Sequence, residues 1–136
     1  RVETDWPFRI QMPRGFNVPF HCTASGKTFM ASLSKSAREK FIAGLNLKAH
    51  THNTHTTADS LLENLKLNAK RGFALDDEEF VEGMVAAAVP VTDNKGRFVA
   101  ALAVHGPKQR LSIAQATAYV DCLHSAANRL KHAVFS

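Results

Sequence analysis

The sequence has 136 residues, of which 45% are hydrophobic and 21% are charged. This composition is typical of one globular domain with one core. No apolar run approaches the ~20 residues that a membrane-spanning helix needs, so the sequence excludes such a helix. The two cysteines, Cys22 and Cys122, are too few for a disulfide scaffold and favour a cytoplasmic location.

The net charge is +5, from 17 basic and 12 acidic residues. The basic residues are scattered along the chain, and no recognition helix is evident. We therefore expect that this chain alone does not bind DNA specifically, although its charge allows weak, salt-sensitive binding. The chain begins at Arg1, and its first residues resemble the end of a strand, so we expect it to be a piece of a longer protein.

The first third of the chain predicts one strand and two helices. Alternation of apolar and polar residues predicts a strand at residues 8–12. A helix is expected to begin near Ser25 and extend through Leu33. Ser34 or Ser36 is expected to cap the next helix, and Ser36 has an acidic residue three positions later, the spacing of a capping box.

Two longer helices follow from apolar residues at helical spacing. The first covers residues 58–71, with Thr57 as its N-cap and Gly72 at the left-handed position after its end. The second is one continuous helix over residues 112–134, in which Ser112 begins a capping box.

Between these helices the sequence predicts a β-hairpin. Residues 84–92 and 97–105 alternate as strands, and residues 93–96 form the turn. One face of each strand is bulky, whereas the other is dominated by alanine, with His105 as the ionisable group on its face. An alanine face either lets a helix approach closely or leaves room for a ligand. The order of elements indicates one sheet covered by helices.

Residues 24–28 resemble the end of a phosphate-binding loop. The complete motif requires glycine five residues before Gly26, where this chain has His21, so nucleotide binding is excluded. The backbone N–H groups of Ser25 and Gly26 nevertheless lie at a predicted helix start, where either an anion or water can satisfy them.

A run of four acids occupies residues 76–79. Paired catalytic carboxylates are one interpretation, but no nucleophile, base and orienting group accompany them. We favour a solvated loop in which one acid turns inward toward a ligand.

Metal and thiol chemistry are two further alternatives. His50, His52 and His55 form a cluster that could bind zinc or nickel, but no cysteine or acid lies at ligand spacing. We therefore expect no tight metal in this loop and no cofactor. Cys22 is either an inert, partly buried thiol, which we favour, or a reactive thiol near a helix start.

Three segments resemble the effector-binding domains of IclR-family bacterial transcription regulators. Residues 19–27, Pro-Phe-His-Cys-Thr-Ala-Ser-Gly-Lys, are similar to the family's LPLHCTAxGKA segment. Residues 71–79, Arg-Gly-Phe-Ala-Leu-Asp-Asp-Glu-Glu, are similar to RGYAxDDEE, and residues 104–111 to the SGPxxRL close. The resemblance covers nearly the whole chain in the right order.

This resemblance implies an α+β, GAF-like fold, with a central antiparallel sheet flanked by helices on both faces. Residues 1–136 would be the effector-binding domain of a cytoplasmic regulator, not an enzyme, whose winged helix-turn-helix domain is absent from this chain. DNA would be bound only through that missing domain, and the protein would be a homodimer or homotetramer. The effector would be a small organic acid, aromatic in some relatives.

Carried over by position and combined with the predicted helix start, the resemblance implies an effector site formed by Ile10, Val18, Ala24, Ser25, Gly26, Asp76, Ala86, Ala103 and His105. Some relatives have cysteine in place of Ala86 and serine in place of Ala103 and His105, so the effector itself does not transfer. Two other functions stay open at this point. One is a small hydrolase or isomerase using His105 and Asp76, and the other is a metal-sensing module using His50, His52 and His55.

Overall fold

The computed structural model describes residues 19–135. The strand predicted at residues 8–12 lies outside this range. The described chain folds into five helices and three strands: α1 Ala24–Ala31, α2 Lys35–Ala43, α3 Ala58–Arg71, β1 Ala74–Asp77, β2 Met84–Thr92, β3 Phe98–Pro107, α4 Ile113–Ala118 and α5 Val120–Phe135. Within residues 19–135, no helix has the length and apolar character needed to cross a membrane.

The first two helices differ from the prediction at their ends. Helix α1 ends at Ala31, two residues before the predicted Leu33. Ser34 is the N-cap of α2, and its hydroxyl accepts a hydrogen bond from the backbone N–H of Ala37. Ser36 lies inside α2, so the capping box predicted at Ser36 is wrong.

Helix α3 confirms its predicted bounds. Thr57 caps its N-terminus, and Gly72 adopts φ +85° at its end, a conformation that favours glycine. The capping box at Ser112 is also confirmed. The prediction of one continuous helix over residues 112–134 is wrong, because the helix is interrupted at Tyr119 between α4 and α5.

The three strands form one antiparallel sheet in the order β1–β2–β3. The predicted hairpin is confirmed, although β3 continues two residues beyond His105 to Pro107. Strand β1 corrects the expectation of a solvated acidic loop, because residues 74–77 pair with β2. Its acids therefore alternate between the two faces of the sheet, with Asp76 buried and Asp77 exposed.

Helices cover both faces of the sheet. The bulky face packs against α4 and α5 through Val89, Val91, Val120 and Leu123. On the alanine face, Ala24 of α1 packs against three alanines of the sheet, Ala86, Ala88 and Ala103. These contacts establish the predicted α+β architecture and show that the alanine face admits a helix at close range.

Helices α2 and α3 pack against α1 rather than chiefly on the sheet. Their shared core contains Met30, Ile42, Leu61 and Leu65, all buried. This corrects the expectation that α3 itself flanks the sheet. Helix α1 thus lies between the sheet and the α2–α3 pair, and its position depends on both.

The caps of α2 allow a paired test. Ser34→Ala removes the side-chain acceptor at the helix start, so it should lower the free energy of unfolding by about 1 kcal/mol. Ser36→Ala should change it by less than about 0.5 kcal/mol, because this exposed position already lies in the helix. Urea denaturation measures both, and a larger loss for Ser36→Ala would contradict the assignment of the cap.

Candidate functional site

A cavity of about 200 Å³ lies beside α1 on the alanine face of the sheet. Its walls come from the start of α1, from β1, from the segment that joins β1 to β2, and from the paired strands β2 and β3. The residues that line it are Thr23, Ala24, Ser25, Asp76, Phe80, Val81, Met84, Val85, Ala86, Ala103 and His105. Most of this lining is apolar, and the polar groups lie around it.

The structure brings together six of the nine residues that the sequence assigned to the effector site. These are Ala24, Ser25, Asp76, Ala86, Ala103 and His105. Ile10 and Val18 lie outside the described residues. Ala101, which shares a strand face with Ala103, does not line the cavity.

Gly26 is corrected from a ligand contact to a packing residue. Its N–H donates to the hydroxyl of Thr23 at 3.1 Å, as part of the cap of α1. A Cβ at this position would come within 2.5 Å of the carbonyl oxygen of Phe20. Glycine is therefore required here by the close approach of the backbone rather than by a ligand.

Ser25 keeps the position that anion binding requires. Thr23 is the N-cap of α1, and the first intrahelical bond runs from the N–H of Lys27 to the carbonyl of Thr23. The N–H of Ser25 precedes this bond and has no acceptor within the helix. Because helix N-termini carry partial positive charge, this end of the cavity favours an anion.

Strand register places three residues of the cavity in one row. Asp76 of β1 pairs with Ala86 of β2, which in turn pairs with His105 of β3. Asp76 and His105 are therefore two strands apart, roughly 9–10 Å at the backbone. The small side chain of Ala86 lies between them, so the cavity has an apolar floor between two ionisable groups.

Asp76 is buried, and its environment favours the neutral carboxyl group. Burial raises the pKa of Asp76 to about 7, and the nearby negative charge of Glu79 acts in the same direction. Backbone N–H groups of Glu79 and Phe80 donate to this carboxyl and oppose the shift. The Glu79 bond measures 2.8 Å and reaches Oδ1. Near neutral pH this group can therefore donate or accept a hydrogen bond.

A buried ion pair lies behind the cavity. Nζ of Lys27 donates to Oε1 of Glu79 at 2.8 Å and to Oδ1 of Asn64 at 3.2 Å. The side chain of Lys27 is only 1% exposed. The other carboxylate oxygen of Glu79 accepts from the backbone N–H of Asp77. This pair joins α1 to the β1–β2 segment.

The pairing of Lys27 with Glu79 was not predicted from the sequence. Two acids of the run turn inward, Asp76 and Glu79, where one was expected. A signal was present, because Lys27 occupies the same face of α1 as Ala24 and Met30, which are buried. A charged residue on an apolar helix face implies a buried partner.

The fold separates the histidines of the 50–55 loop, among the described residues, and buries Cys22. His55 bonds to the Ser60 hydroxyl, and its Nε2 lies 3.8 Å from Glu79. His50 instead lies beside His21, with ring centroids 5.7 Å apart. Cys22 is buried, and burial raises the pKa of its thiol to about 12. Without a metal the thiol therefore stays protonated, which agrees with the buried, inert alternative rather than with a low-pKa reactive thiol.

Comparison with known proteins identifies the family. The family model for the C-terminal domain of the bacterial transcriptional regulator IclR matches residues 1–132. The probable transcriptional regulator SauR of Cupriavidus necator is 41% identical over 130 residues, which cover 96% of this chain and 52% of SauR. The chain belongs to the IclR family of bacterial transcriptional regulators. It spans about half the length of SauR.

Solved structures of the IclR family agree with the fold. The crystal structure of the Thermotoga maritima IclR matches with a TM-score of 0.89 at 27% identity, over 99% of this chain and 55% of that chain. The PobR inducer-binding domain from Acinetobacter, a double mutant in complex with 3-hydroxybenzoic acid, matches with a TM-score of 0.82 at 27% identity. That match covers 95% of this chain and 77% of the PobR domain.

IclR-family membership also decides the question of catalysis. The related proteins are transcriptional regulators and repressors, not enzymes. The hydrolase or isomerase hypothesis is therefore wrong.

Asp76 predicts a pH-dependent stability. Its pKa is raised from 3.8 to about 7 in the folded chain, so the folded state retains a proton that the unfolded state loses. The resulting stability is present below about pH 4 and is lost as pH rises through about 7. Asp76→Asn should therefore reduce the fall in the free energy of unfolding between about pH 5 and about pH 8 by about 1–3 kcal/mol.

The control for this measurement is Asp77→Asn, the neighbouring exposed carboxylate. Urea denaturation at each pH should show that the free energy of unfolding changes with pH as much in this variant as in the unsubstituted chain. If the pH dependence of the free energy of unfolding is also unchanged in Asp76→Asn, the Asp76 carboxyl is ionised in the folded state throughout this pH range.

The buried ion pair predicts a large cost for removing one partner. Lys27→Met should lower the free energy of unfolding by about 3–5 kcal/mol, because it leaves the Glu79 carboxylate buried without its counter-ion. The double variant Lys27→Met/Glu79→Gln should recover a substantial part of that loss. Lys108→Met, which removes the exposed pair with Glu78, should cost less than about 1 kcal/mol. A comparable cost for Lys27→Met and Lys108→Met would contradict this account.

Proposed function

We propose that the cavity beside α1 is the effector site of this IclR-family domain and that it takes a small organic monocarboxylic acid. The observation that carries the proposal is the row Asp76–Ala86–His105, in which an alanine floor separates two hydrogen-bonding groups beneath a helix N-terminus. The floor accommodates an apolar body, and the groups around it orient polar substituents.

The size of the cavity supports a small ligand. An apolar cavity of roughly 150 Å³ is large enough to hold benzene, whereas sites for drug-sized molecules begin near 300 Å³. At about 200 Å³, this cavity fits a single ring or a short chain that carries a carboxylate. The aromatic acid in the PobR complex belongs to this chemical class.

The charges around the cavity support one carboxylate rather than two. Among the described residues, the lining includes no lysine or arginine, and the buried Lys27 is already paired with Glu79. Negative charge would be met by the N-terminus of α1, by the N–H and hydroxyl of Ser25, and by His105. These groups can match one carboxylate, but a second would remain without a cationic partner.

Asp76 would interact with the other end of the ligand. Its carboxyl is anchored by the backbone N–H of Glu79, which leaves it oriented at the cavity wall. With a pKa of about 7, it can accept a hydrogen bond from a ligand hydroxyl or donate one to a ligand oxygen. This assignment distributes the polar contacts at opposite ends of an apolar body.

The proposal extends to the whole regulator. We propose that this domain works in the cytoplasm within a homodimer or homotetramer, and that DNA is bound through a winged helix-turn-helix domain outside this chain. The dispersed basic residues are consistent with a domain that has no DNA-reading surface of its own. Effector binding would change the oligomer or its affinity for DNA by favouring one arrangement of the domains.

A steric block tests the site. Ala103→Phe should fill the cavity and weaken binding of an acid by about fivefold or more, because overpacking costs about 1–3 kcal/mol. The acid for this test is chosen by a thermal-shift screen of small monocarboxylates that includes 3-hydroxybenzoate, as the compound that raises the melting temperature most. Calorimetric titration gives its affinity for each variant.

Ala101→Phe is the matched control for this titration. It adds the same ring two residues away on the same strand, but its position does not line the cavity. It should leave the affinity within about threefold. Equal affinities for the unsubstituted chain and folded Ala103→Phe would place the ligand elsewhere and refute the site.

A further inference from the structure

A second cluster of potential ligands lies outside the residues that line the cavity. It consists of His21, Cys22 and His50, which contribute one ligand atom each, and these three atoms lie within 4.8 Å of one another. We propose that His21, Cys22 and His50 form a binding site for Zn²⁺, with two imidazoles and one thiolate as protein ligands. This proposal does not depend on the identity of the effector.

The chemistry and spacing of these groups suit zinc. Zn²⁺ binds imidazole nitrogen at about 2.0–2.1 Å and thiolate sulfur at about 2.3 Å. Around a tetrahedral ion, two nitrogens, or a nitrogen and a sulfur, lie roughly 3.3–3.6 Å apart. Any two of the three atoms therefore need to close by at most about 1.5 Å, which side-chain rotation can supply. Mixed nitrogen and sulfur ligation disfavours Mg²⁺ and Ca²⁺, which prefer oxygen.

His21 is already arranged as a metal-binding histidine. Its Nε2 lies 2.8 Å from the carbonyl oxygen of Lys48, and this oxygen can only accept a hydrogen bond. Nε2 therefore carries the proton, and Nδ1 keeps its lone pair. Such a hydrogen bond to a backbone carbonyl is the usual way in which the second ring nitrogen of a zinc ligand is fixed.

His50 is exposed, but its neighbours hold it in place. Its backbone N–H donates to the hydroxyl of Thr54 at 3.1 Å. That hydroxyl donates in turn to the carbonyl oxygen of Glu79 at 2.6 Å. The imidazole also meets the ring of Phe80 edge-on, with centroids 5.3 Å apart. The third ligand thus sits at the surface, where an ion can enter.

This site differs from the metal alternative considered in the sequence. That alternative grouped His50 with His52 and His55, and we expected no tight metal there. Among the described residues, the fold groups His50 with His21 and Cys22 instead, which supplies the thiol that the loop lacks. Sequence spacing does not reveal this grouping, because 27 residues lie between Cys22 and His50.

Binding exchanges a proton for the metal. The S–H bond of Cys22 breaks, its proton passes to solvent, and the thiolate sulfur donates its electron pair to Zn²⁺. A water molecule would complete the tetrahedral coordination. Because Phe80 contacts His50 and also lines the cavity, the metal would lie next to the proposed effector site.

Cobalt titration tests the site directly. Untagged chain, reduced and freed of metal, is titrated with Co²⁺ under anaerobic conditions and then with Zn²⁺. We expect one Co²⁺ per chain, a near-ultraviolet thiolate-to-cobalt charge-transfer band, and loss of that band as Zn²⁺ displaces Co²⁺. Mg²⁺ should displace nothing.

Four variants locate the ligands. Cys22→Ala should abolish the charge-transfer band. His50→Ala should weaken Zn²⁺ binding by about 10- to 100-fold or more, because losing even a residue that only hydrogen-bonds to a metal ligand has an effect of this size. Cys122→Ala, at the exposed second cysteine, and His52→Ala, within the same loop, should leave both properties unchanged.

Several results would overturn the proposal. These are the absence of a charge-transfer band, a band that survives Cys22→Ala, and Zn²⁺ affinity that falls in His52→Ala but not in His50→Ala. Circular dichroism checks that each variant is folded. If Cys22→Ala fails to fold, His50→Ala becomes the deciding variant, because the side chain of His50 is exposed and its loss should not disturb folding. Undiminished Zn²⁺ affinity in His50→Ala would then refute the site.

Discussion

The buried ion pair between Lys27 and Glu79 is the interaction on which the site depends. Two charges withdrawn from water are tolerated only because each has several partners: Lys27 also meets Asn64, and Glu79 also accepts from the N–H of Asp77. The backbone of Glu79 adds its own bond to Asp76. One residue therefore fixes the start of α1, the carboxyl in the cavity and the end of β1 relative to one another.

The alanine face performs two functions that first seemed to be alternatives. Ala86, Ala88 and Ala103 let Ala24 of α1 approach the sheet closely. Ala86 and Ala103 also line the cavity and leave the space beside the helix start open. Larger residues would either displace α1 or fill the cavity. Since α1 is also held by α2 and α3, a ligand that pressed against its first turn would act on that whole helical layer. In the proposed site, ligand binding at the sheet would thus also act on the outer helices α2 and α3.

Local sequence rules predict the elements that depend on local interactions. The hairpin, α3 with Gly72 at its end, and the capping box at Ser112 follow from periodicity and capping, which short-range sterics and hydrogen bonds determine. Strand β1 was missed because its four residues become a strand only through pairing with β2. The family resemblance located six of the eleven residues that line the cavity. The Lys27–Glu79 pair and the His21–Cys22–His50 cluster could not be predicted in this way, because each brings together residues distant in sequence.

A small organic acid in the cavity on the alanine face can be detected directly through alanine methyl groups. In a chain with isotopically labelled alanine methyls, the methyl resonances of Ala24, Ala86 and Ala103 should shift as the acid is added, because they line the cavity. Those of Ala87, Ala116 and Ala127, buried on the opposite face of the sheet, should remain in place. Shifts confined to this second set, or to neither set at saturating acid, would contradict binding in this cavity.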